Sequence, residues 1–436
     1  MTSLRFPASL LVAAIASFLA DDPALRGDEP LQRTAAPGHF VITDFGAVAG
    51  GSVLNSQAIQ RAIDRAAESG GGVVEIPRGT FLSGSIFLKK GVELVLDEGA
   101  VLLGSNRIED YPKLTTRIEG HFEPWRMALV NAQAMDRVRI SGKGKLDGNG
   151  GTYWAAFWQR RKENPNCTNL EVERPRLLFI DRCKDVRIEG IGLKDSGFWN
   201  LHLYRCRGVV LDGLDINAPT SGSIRAPSTD GIDIDSSQDV VVRRCRISVG
   251  DDDIALKGSK GPLAMGDTDS PAVENILVED CEFGNGYGML TCGSEATVVR
   301  HVMYRNCRIT GRANLLCLKL RPDTPQDYED ITVENIQLAG AGRILVVGPW
   351  RQFFNLYGHP APTQRVARVT IRNVSGTFRA FGSLLGNPGD TLEGITLEDV
   401  DVKLTDPHLT LGQTQNLVFK NVVVNGAPYP VPPTKP

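Results

Sequence analysis

The stretch VRIEGIGL at residues 186–193 returns as VVLDGLDI at residues 209–216 and as VVVRRCRI at residues 240–247. In each copy, apolar side chains stand at the first position and at the +2, +5 and +7 positions. Steps of two are the alternation of a β-strand, in which successive side chains point to opposite faces. The step of three breaks that alternation, as a turn between two short strands does. Each unit therefore predicts two short strands joined by a turn.

The same template continues to the end of the chain. Its further copies begin at Ile276, Val302, Ile331, Val369, Ile395 and Leu417. Successive copies start 22 to 38 residues apart, and the copy at Val369 lacks only the last apolar position, where Gly376 stands. Repeats of this length built from short strands indicate a solenoid, because each coil must stack on its neighbours to bury its apolar side. We predict an all-β parallel β-helix. The alternative, a β-propeller, needs about four strands per blade and more even repeats.

Three of the eight cysteines fall on the repeat itself. Cys245, Cys281 and Cys307 occupy the +5 position of consecutive copies. We predict that they point inward and stack as small core residues. A column of thiols also suits a metal site, but no histidine shares this register, so the core position is favoured.

The residues before the repeat predict a cap for the solenoid. After Asn55, apolar side chains recur at helical spacing at positions 58, 59, 62, 63 and 66, and the run SGGG at 69–72 ends the pattern. A helix here would cover the open N-terminal end, which a solenoid requires.

The first 20 residues predict a secretory signal peptide. The apolar run at residues 10–20 is too short for a membrane span, which needs about 20 residues, and its small residues suit cleavage. An ordinary N-terminal helix is the alternative. We divide the chain into a signal peptide (1–20), a loose linker (21–38), a single β-helix domain (39–426) and a Pro-rich tail (427–436). The expected location is secreted or periplasmic.

The composition excludes a nucleic-acid-coating protein. Of 436 residues, 42% are hydrophobic and 23% are charged, and Lys+Arg 48 against Asp+Glu 51 gives a formal net charge of -3. A generally basic surface is therefore absent. We expect a monomer with no nucleic-acid partner and no membrane span.

The solenoid register brings three aspartates together. When Ile232 is matched with Ile254, 22 residues further on, Asp230 lies over Asp252. Stacked strands place them about 4.8 Å apart. Asp251 flanks the pair, so one patch of the outer surface carries three carboxyl groups.

The next two coils extend this patch. Matching Met289 and Thr291 as inward residues places Tyr287 over Asp252. In the following coil, the apolar residues at 316 and 318 face inward and Lys319 faces outward. By the same alternation we expect Asp233, Asp235 and Lys257 to be exposed strand residues.

Three carboxylates in one patch repel each other, and this raises the pKa of one of them. A carboxyl group that stays protonated near neutral pH can act as a general acid while its ionised neighbours activate water. Paired carboxylates cleave glycosidic bonds in this way. Two other interpretations stay open. Aspartates often cap turns by binding backbone amides, and three converging carboxylates can bind calcium.

The residues around these aspartates resemble the polygalacturonase-type glycoside hydrolases, the pectin-cleaving enzymes of glycoside hydrolase family 28. The most specific matches are STDGID at 228–233, which is similar to the family's Asn-Thr-Asp motif, and GDD at 250–252, which continues into IALK at 254–257. Further support comes from DFGA (44–47), GGGVV (70–74), GKLDGNG (144–150), RP (174–175) and SGFWNLH (196–202). The resemblance runs from about residue 40 to 340.

The resemblance implies a single-stranded, right-handed parallel β-helix of the pectin-lyase-like type with a short N-terminal capping helix. It also implies hydrolysis with inversion, with no metal and no organic cofactor. By analogy, Asp252 is the general acid, and Asp230 and Asp251 hold and activate the attacking water.

The chain departs from the family at two motifs. The family's Gly-His-Gly is GYG at 286–288, and its Arg-Ile-Lys is CLK at 317–319. Pairs of Arg and Lys clamp sugar carboxylates, so the loss of the Arg weakens the case for plain polygalacturonate. We assign substrate binding to Tyr287, Lys319, Lys257 and Arg321.

The favoured hypothesis is a secreted hydrolase of pectin-type, galacturonate-containing polysaccharides, including rhamnogalacturonan-type or otherwise substituted forms. The missing His and Arg favour an alternative, a catalytically silent β-helix that binds carbohydrate. A polysaccharide lyase is the third hypothesis. It would need an Arg or Lys base, usually calcium, and would give an unsaturated product that absorbs ultraviolet light.

Overall fold

The chain winds into a right-handed parallel β-helix in the computed structural model, which describes residues 38–222 and 224–433. Short parallel strands form three stacks that run along the axis of the solenoid. The predicted fold class is confirmed. Parallel pairing between successive coils also excludes the propeller.

The three stacks are built from strands of two to seven residues, and four longer strands continue around the later coils. The first stack contains β1 (Gly38–Val41), β2 (Gly72–Ile76), β5 (Val92–Leu96), β10 (Asp136–Gly142), β13 (Lys184–Glu189), β16 (Arg207–Asp212), β19 (Gln238–Arg243), β22 (Val273–Glu279) and β31 (Val418–Val424). The second stack contains β3 (Gly79–Ser83), β6 (Ala100–Gly104), β11 (Lys145–Asp147), β14 (Gly192–Lys194), β17 (Asp215–Asn217), β20 (Arg246–Ser248) and β23 (Glu282–Phe283). The third stack contains β4 (Ile86–Phe87), β9 (Val130–Gln133), β12 (Leu178–Asp181), β15 (Leu201–Tyr204), β18 (Ile232–Asp235), β21 (Ile254–Lys257), β24 (Gly288–Cys292), β26 (Asn314–Leu320) and β28 (Arg343–Pro349). The long strands are β25 (Val298–Ile309), β27 (Gln326–Ala339), β29 (Gln364–Leu384) and β30 (Thr391–Leu411).

A few elements lie outside the stacks. They are the helices α1 (Ser56–Glu68) and α2 (Gly151–Glu163), the antiparallel hairpin of β7 (Lys113–Ile118) and β8 (His121–Arg126), the strand β32 (Ala427–Pro428) that pairs with β31, and 3-10 turns at Ile42–Phe45, Ile108–Asp110, Asn169–Glu171 and Ala264–Gly266. Helix α1 is the predicted cap. It packs on β1, β2 and β4, and it buries Ile59 and Ile63 completely.

The repeat template of the sequence corresponds to the pairing between coils. Val186 pairs with Val209, which pairs with Val240. The same correspondence continues through the later coils as far as Ile395. These side chains are buried in one continuous core. A single apolar pattern therefore sets the register of the whole solenoid.

The cysteine column is a core feature, as predicted. Cys245, Cys281 and Cys307 are each buried, and the backbone N–H of Cys245 donates to the Cys281 Sγ at 3.4 Å. All eight cysteines of the sequence lie within the described residues as buried free thiols. Those at positions 183, 206, 245, 281, 292 and 307 belong to the hydrophobic core that runs along the axis.

The predicted division of the chain into segments is not tested by the structure. The predicted signal peptide (1–20) and nearly all of the predicted linker (21–38) lie outside the described residues. The limits of the domain (39–426) and of the tail (427–436) stay predictions. In the part of the chain that is described, no helix is both long and apolar enough to cross a membrane.

Gly50 and Gly142 allow the cost of backbone strain to be measured apart from the cost of crowding between coils. Gly142 has φ +122°, and a Cβ there would lie 2.0 Å from the carbonyl oxygen of Leu96 in the coil below. Gly50 has φ +111°, and a Cβ there would meet nothing within 4 Å. We expect Gly50→Ala to lower the free energy of unfolding by about 1–2 kcal/mol, the cost of a side chain at positive φ. Gly142→Ala should cost about 1–3 kcal/mol more, because coil spacing must change. Urea denaturation measures both; equal losses would contradict the crowding argument.

Candidate active site

Asp230, Asp251 and Asp252 stand just before neighbouring strands of the third stack. Strands β18 and β21 pair with the 22-residue register that the sequence predicted. The N–H of Gly231 donates to the carbonyl of Asp252 at 2.9 Å, so the two turns lie side by side. The fold therefore brings together the three aspartates that the register argument selected.

Gly250 allows this close approach. A Cβ at this position would lie 2.0 Å from the carbonyl oxygen of Ala226, so a side chain would push the turn with Asp251 away from Asp230. The N–H of Gly250 also donates to the Thr229 Oγ1 at 3.1 Å. The two aspartate turns are thus held together by the backbone that precedes them.

The three carboxyl groups converge but differ in accessibility. One oxygen from each of Asp230, Asp251 and Asp252 lies within 4.8 Å of the others. Asp230 is 3% exposed and Asp252 is 1% exposed, whereas Asp251 is partly exposed. Asp251 is therefore the member of this triad that a large substrate can touch.

The predicted position of Tyr287 is wrong by one residue. Ala255 pairs with Thr291, which shifts this coil relative to the prediction. The N–H of Tyr287 donates to the carbonyl of Asp251 at 2.7 Å, so Tyr287 lies beside Asp251 and not over Asp252. The shift also turns Thr291 outward, although the sequence placed it inside.

Asp252 is held by two donors. Lys319 Nζ donates to its Oδ2 at 2.6 Å, and Thr291 Oγ1 donates to its Oδ1 at 2.7 Å. Although burial acts to lower it, the charges of Asp252 and Asp251 raise the pKa of Lys319, so the ammonium stays charged. The rings of Tyr287 and Trp350 cover this ammonium, with centroids 4.8 and 4.7 Å from Nζ. A charged donor and a hydroxyl therefore hold the two oxygens of this carboxyl group in place.

Lys257 lies among three acids on the other side of the triad. Its Nζ is 3.4 Å from Asp230 Oδ2, 3.5 Å from Asp233 Oδ1 and 3.6 Å from Glu295 Oε2. The ring of Trp199 covers it, with the centroid 4.8 Å from Nζ. Burial acts to lower the pKa of Lys257, but the charges of Asp230 and Asp233 raise it well above its usual value. The expectation that Lys257 is exposed is wrong.

Arg321, predicted to bind substrate, is buried and fully paired. Its Nε and Nη2 each donate to Asp323 at 2.8 Å. Its remaining N–H groups donate to Ser294 Oγ and to the carbonyls of Gln352 and Phe353. No N–H group of Arg321 is left for a sugar, so we do not carry this residue into the proposed site.

Asp233 and Asp235 are buried, contrary to expectation. Strand alternation does turn them outward, but the hairpin of β7 and β8 covers that surface. Arg117 of β7 donates from Nε to Asp235 Oδ2 at 3.0 Å, and His202 Nε2 lies 3.4 Å from the same oxygen. This layer excludes water from the Asp235 carboxyl group, which is 1% exposed.

Burial shifts the acids of the site toward their protonated forms. It raises the pKa of Asp230, where the charge of Asp233 adds to the effect, and that of Asp251, where the charge of Asp252 adds to it. Burial also raises the pKa of Asp233 to about 8, against the attraction of Lys257. The raised pKa values favour the protonated forms of these acids, as general acid catalysis requires.

Asp253 gives a test of this electrostatic picture that does not depend on activity. It is fully buried, and among the described residues neither carboxyl oxygen has a hydrogen-bond partner. Burial, with the charge of Asp252, raises its pKa well above the usual value. The unfolded chain loses this proton near pH 4 while the folded chain keeps it, so the free energy of unfolding falls as pH rises toward the folded pKa.

We expect Asp253→Asn to remove this dependence. The variant should gain stability over the parent protein as pH rises from 4 to 8, with a limiting slope of about 1.4 kcal/mol per pH unit. Urea denaturation at pH 4, 6 and 8 measures the gain. Asp215→Asn, at an exposed position, is the control and should show no such trend. A stability difference that does not change with pH would contradict a protonated Asp253.

Two residues of the site were not found from the sequence. Thr291 was placed inside by the register error, and Glu295 follows its strand with no spacing that marks it. Trp350 lies in the next coil, where β26 and β28 pair directly and the Trp350 N–H donates to the Leu320 carbonyl at 2.8 Å.

The geometry defines a class of protein. A solenoid surface with three converging carboxyl groups, one of them accessible, and with aromatic rings beside them can protonate a leaving oxygen and activate water at one glycosidic bond. These are the parts of a glycoside hydrolase. The chain belongs to Glycosyl hydrolases family 28, which residues 74–425 match.

Known proteins agree with this assignment. The chain is 31% identical over 225 residues to a probable polygalacturonase of Vitis vinifera, in an alignment that spans 50% of this chain but only 43% of that protein. It is 25% identical over 406 residues to an exopolygalacturonase of Zea mays, which covers 91% of each chain. The solved structure of an exopolygalacturonase from Thermotoga maritima matches the fold with a TM-score of 0.73 at 24% identity, over 96% of this chain and 97% of that chain.

Proposed function

We propose that this protein is a secreted hydrolase that cleaves glycosidic bonds in pectin-type, galacturonate-containing polysaccharides. The observation that carries the proposal is the convergence of the Asp230, Asp251 and Asp252 carboxyl groups within 4.8 Å on the outer surface of the third stack. The family and the polygalacturonases among its relatives support the choice of polymer. The predicted signal peptide supports secretion.

The contacts of the triad lead us to assign the general acid to Asp251. The family resemblance had suggested Asp252 for this role. Asp252, however, is buried and accepts hydrogen bonds from Lys319 and Thr291, which favours a carboxylate that activates water. Asp251 is partly exposed, and its pKa is raised by burial and by the charge of Asp252. Asp251 thus has both the proton and the access that a general acid needs.

We propose hydrolysis with inversion of the anomeric centre. Inverting enzymes usually hold their carboxyl groups about 6.5–9.5 Å apart and retaining enzymes about 5–5.5 Å apart. The nearest oxygens of the triad, within 4.8 Å, are closer to the second value. Retention needs a carboxylate that attacks the sugar carbon, however, and Asp230 and Asp252 are both buried beside a lysine. Such groups can hold a water but are shielded from the sugar ring.

Charge favours this acid–base role over a calcium site. Three carboxylates are a suitable ligand set for calcium. Here Lys257 and Lys319 already place ammonium groups 3.4 Å from Asp230 and 2.6 Å from Asp252. We therefore expect activity that persists in the presence of a chelator, and we do not favour a calcium-dependent lyase.

A panel of defined plant polysaccharides, with products analysed by mass spectrometry, tests the proposal. We expect new reducing ends, and products whose combined mass exceeds that of the parent oligosaccharide by one water for each bond cleaved. Binding of a pectin without any product after long incubation would favour the silent carbohydrate-binding alternative. Products whose combined mass equals that of the parent oligosaccharide, one of them unsaturated and absorbing ultraviolet light, would favour the lyase.

A further inference from the structure

The two lysines beside the triad are covered by aromatic rings and bound to aspartates. Lys319 has a side chain only 8% exposed, lies under Tyr287 and Trp350, and binds Asp252. The side chain of Lys257 is only 6% exposed and lies under Trp199. Neither ammonium is presented to a bound sugar.

A sugar carboxylate needs a cation that it can reach. Recognition of carboxylates in proteins relies on charge-assisted hydrogen bonds from Arg or Lys. At position 317 the chain has a cysteine, which is fully buried and pairs in register with Thr291.

The surface next to the triad is instead aromatic. The rings of Tyr287 and Trp350 meet at 71° with centroids 5.9 Å apart, and both residues are partly exposed. This corner lies beside Asp251, because the Tyr287 N–H donates to the Asp251 carbonyl. Aromatic faces pack on the apolar faces of a sugar ring and need no charge on it.

We propose that the corner formed by Tyr287 and Trp350 is a binding subsite for an uncharged sugar residue, and that the enzyme cleaves next to such a residue. The uncharged residue is either a neutral sugar or a uronate whose carboxyl group is esterified. The inference rests on the proposed function. Plain, unesterified polygalacturonate is then a poor substrate, because every residue carries a charge.

The test compares three oligosaccharides of equal length with the wild-type protein. They are an unesterified oligogalacturonide, its fully methyl-esterified form, and an oligomer in which uronates alternate with a neutral sugar. We expect kcat/KM to be at least about tenfold higher on one of the last two than on the first, and the one preferred identifies the source of the uncharged ring. Equal or faster cleavage of the unesterified oligomer would overturn the inference while leaving the proposed function intact.

Binding to the Asp251→Asn variant separates the two proposals. Calorimetry with the same three oligosaccharides should give the same ranking without any turnover. If the wild-type protein cleaves none of the three oligosaccharides, the proposed function fails, and the order of binding affinities alone then tests the subsite for an uncharged sugar. Tighter binding of the unesterified oligomer than of the other two would overturn that subsite.

Three variants localise the effect. Trp350→Ala should raise KM for the preferred oligomer about tenfold, with little change in kcat. Because the change uncovers Lys319, the ratio of kcat/KM on the preferred oligomer to kcat/KM on the unesterified oligomer should also fall. Trp350→Phe should retain the preference. Arg351→Ala, at the exposed position after Trp350, should leave the ranking unchanged. An equal loss on all three oligomers in Trp350→Ala, or a lost ranking in Arg351→Ala, would contradict the assignment.

Discussion

Asp251→Asn should lower kcat on a pectin oligosaccharide about 10²–10⁴-fold, the contribution of a positioned general acid. Asn has nearly the same shape but no proton to donate to the leaving oxygen. KM should change little, and thermal unfolding should show no loss of stability, because the Asn oxygen can accept the same hydrogen bond from the Asp252 N–H. Initial rates of reducing-end release, with parallel melting curves, measure both.

The leaving group distinguishes Asp251 from Asp252. An activated aryl glycoside departs without protonation, so Asp251→Asn should lose much less activity on it than on the natural polymer. Asp252→Asn removes the carboxylate held by Lys319 and should lose activity on both substrates alike. Asp215→Asn, at an exposed position on the second stack, is the matched control and should keep full activity. The opposite pattern in the two triad variants would return the acid role to Asp252.

Lys257→Met should lower the free energy of unfolding by about 3–5 kcal/mol, the usual cost of removing one partner from a buried ion pair. The change leaves Asp230, Asp233 and Glu295 close together without the ammonium that now lies 3.4–3.6 Å from each. The loss should be larger at pH 8 than at pH 5, since the pKa values of Asp230 and Asp233 are raised and their protonation at the lower pH removes charge from the cluster. Urea denaturation at the two pH values measures it.

Two further variants control for this effect. Lys143 forms a surface pair with Glu98, both side chains being about four-fifths exposed, and Lys143→Met should cost under about 1 kcal/mol. Adding Asp233→Asn to Lys257→Met should restore part of the lost stability by removing one of the repelling charges. A Lys257→Met protein as stable as the Lys143→Met protein would contradict a charge-coupled cluster.

The sequence predicted the fold because one apolar pattern acts both within a coil and between coils. Residues such as Val186 and Val209 are strand residues by local alternation and stacking partners by their spacing, so local and long-range requirements agree. The 22-residue step between Asp230 and Asp252 followed directly from the same pattern. That is why the triad could be predicted without a structure.

The register failed where the pattern was ambiguous. Met289 and Leu290 are adjacent apolar residues and both are buried, so two registers that differ by one residue satisfy the apolar pattern equally. A shift of one residue moves side chains to the opposite face. This placed Tyr287 over the wrong aspartate and hid Thr291 inside.

Burial of the charged residues could not be predicted from alternation. Asp235 is covered by Arg117, which is 118 positions earlier in the chain, and Lys319 is covered by Trp350 from the following coil. Strand alternation states which way a side chain points but not what lies above it. The substrate-binding roles assigned to Lys257 and Arg321 assumed an open surface, and in the folded protein their donors face acids and carbonyl groups.

Proton NMR of the first product formed by wild-type protein from a pectin oligosaccharide tests the central claim most directly. We predict a saturated product whose new reducing end appears first with the inverted anomeric configuration and then equilibrates, with or without a chelator. A product with retained configuration, an unsaturated product, or no product from any pectin oligosaccharide would contradict acid–base hydrolysis by the three aspartates.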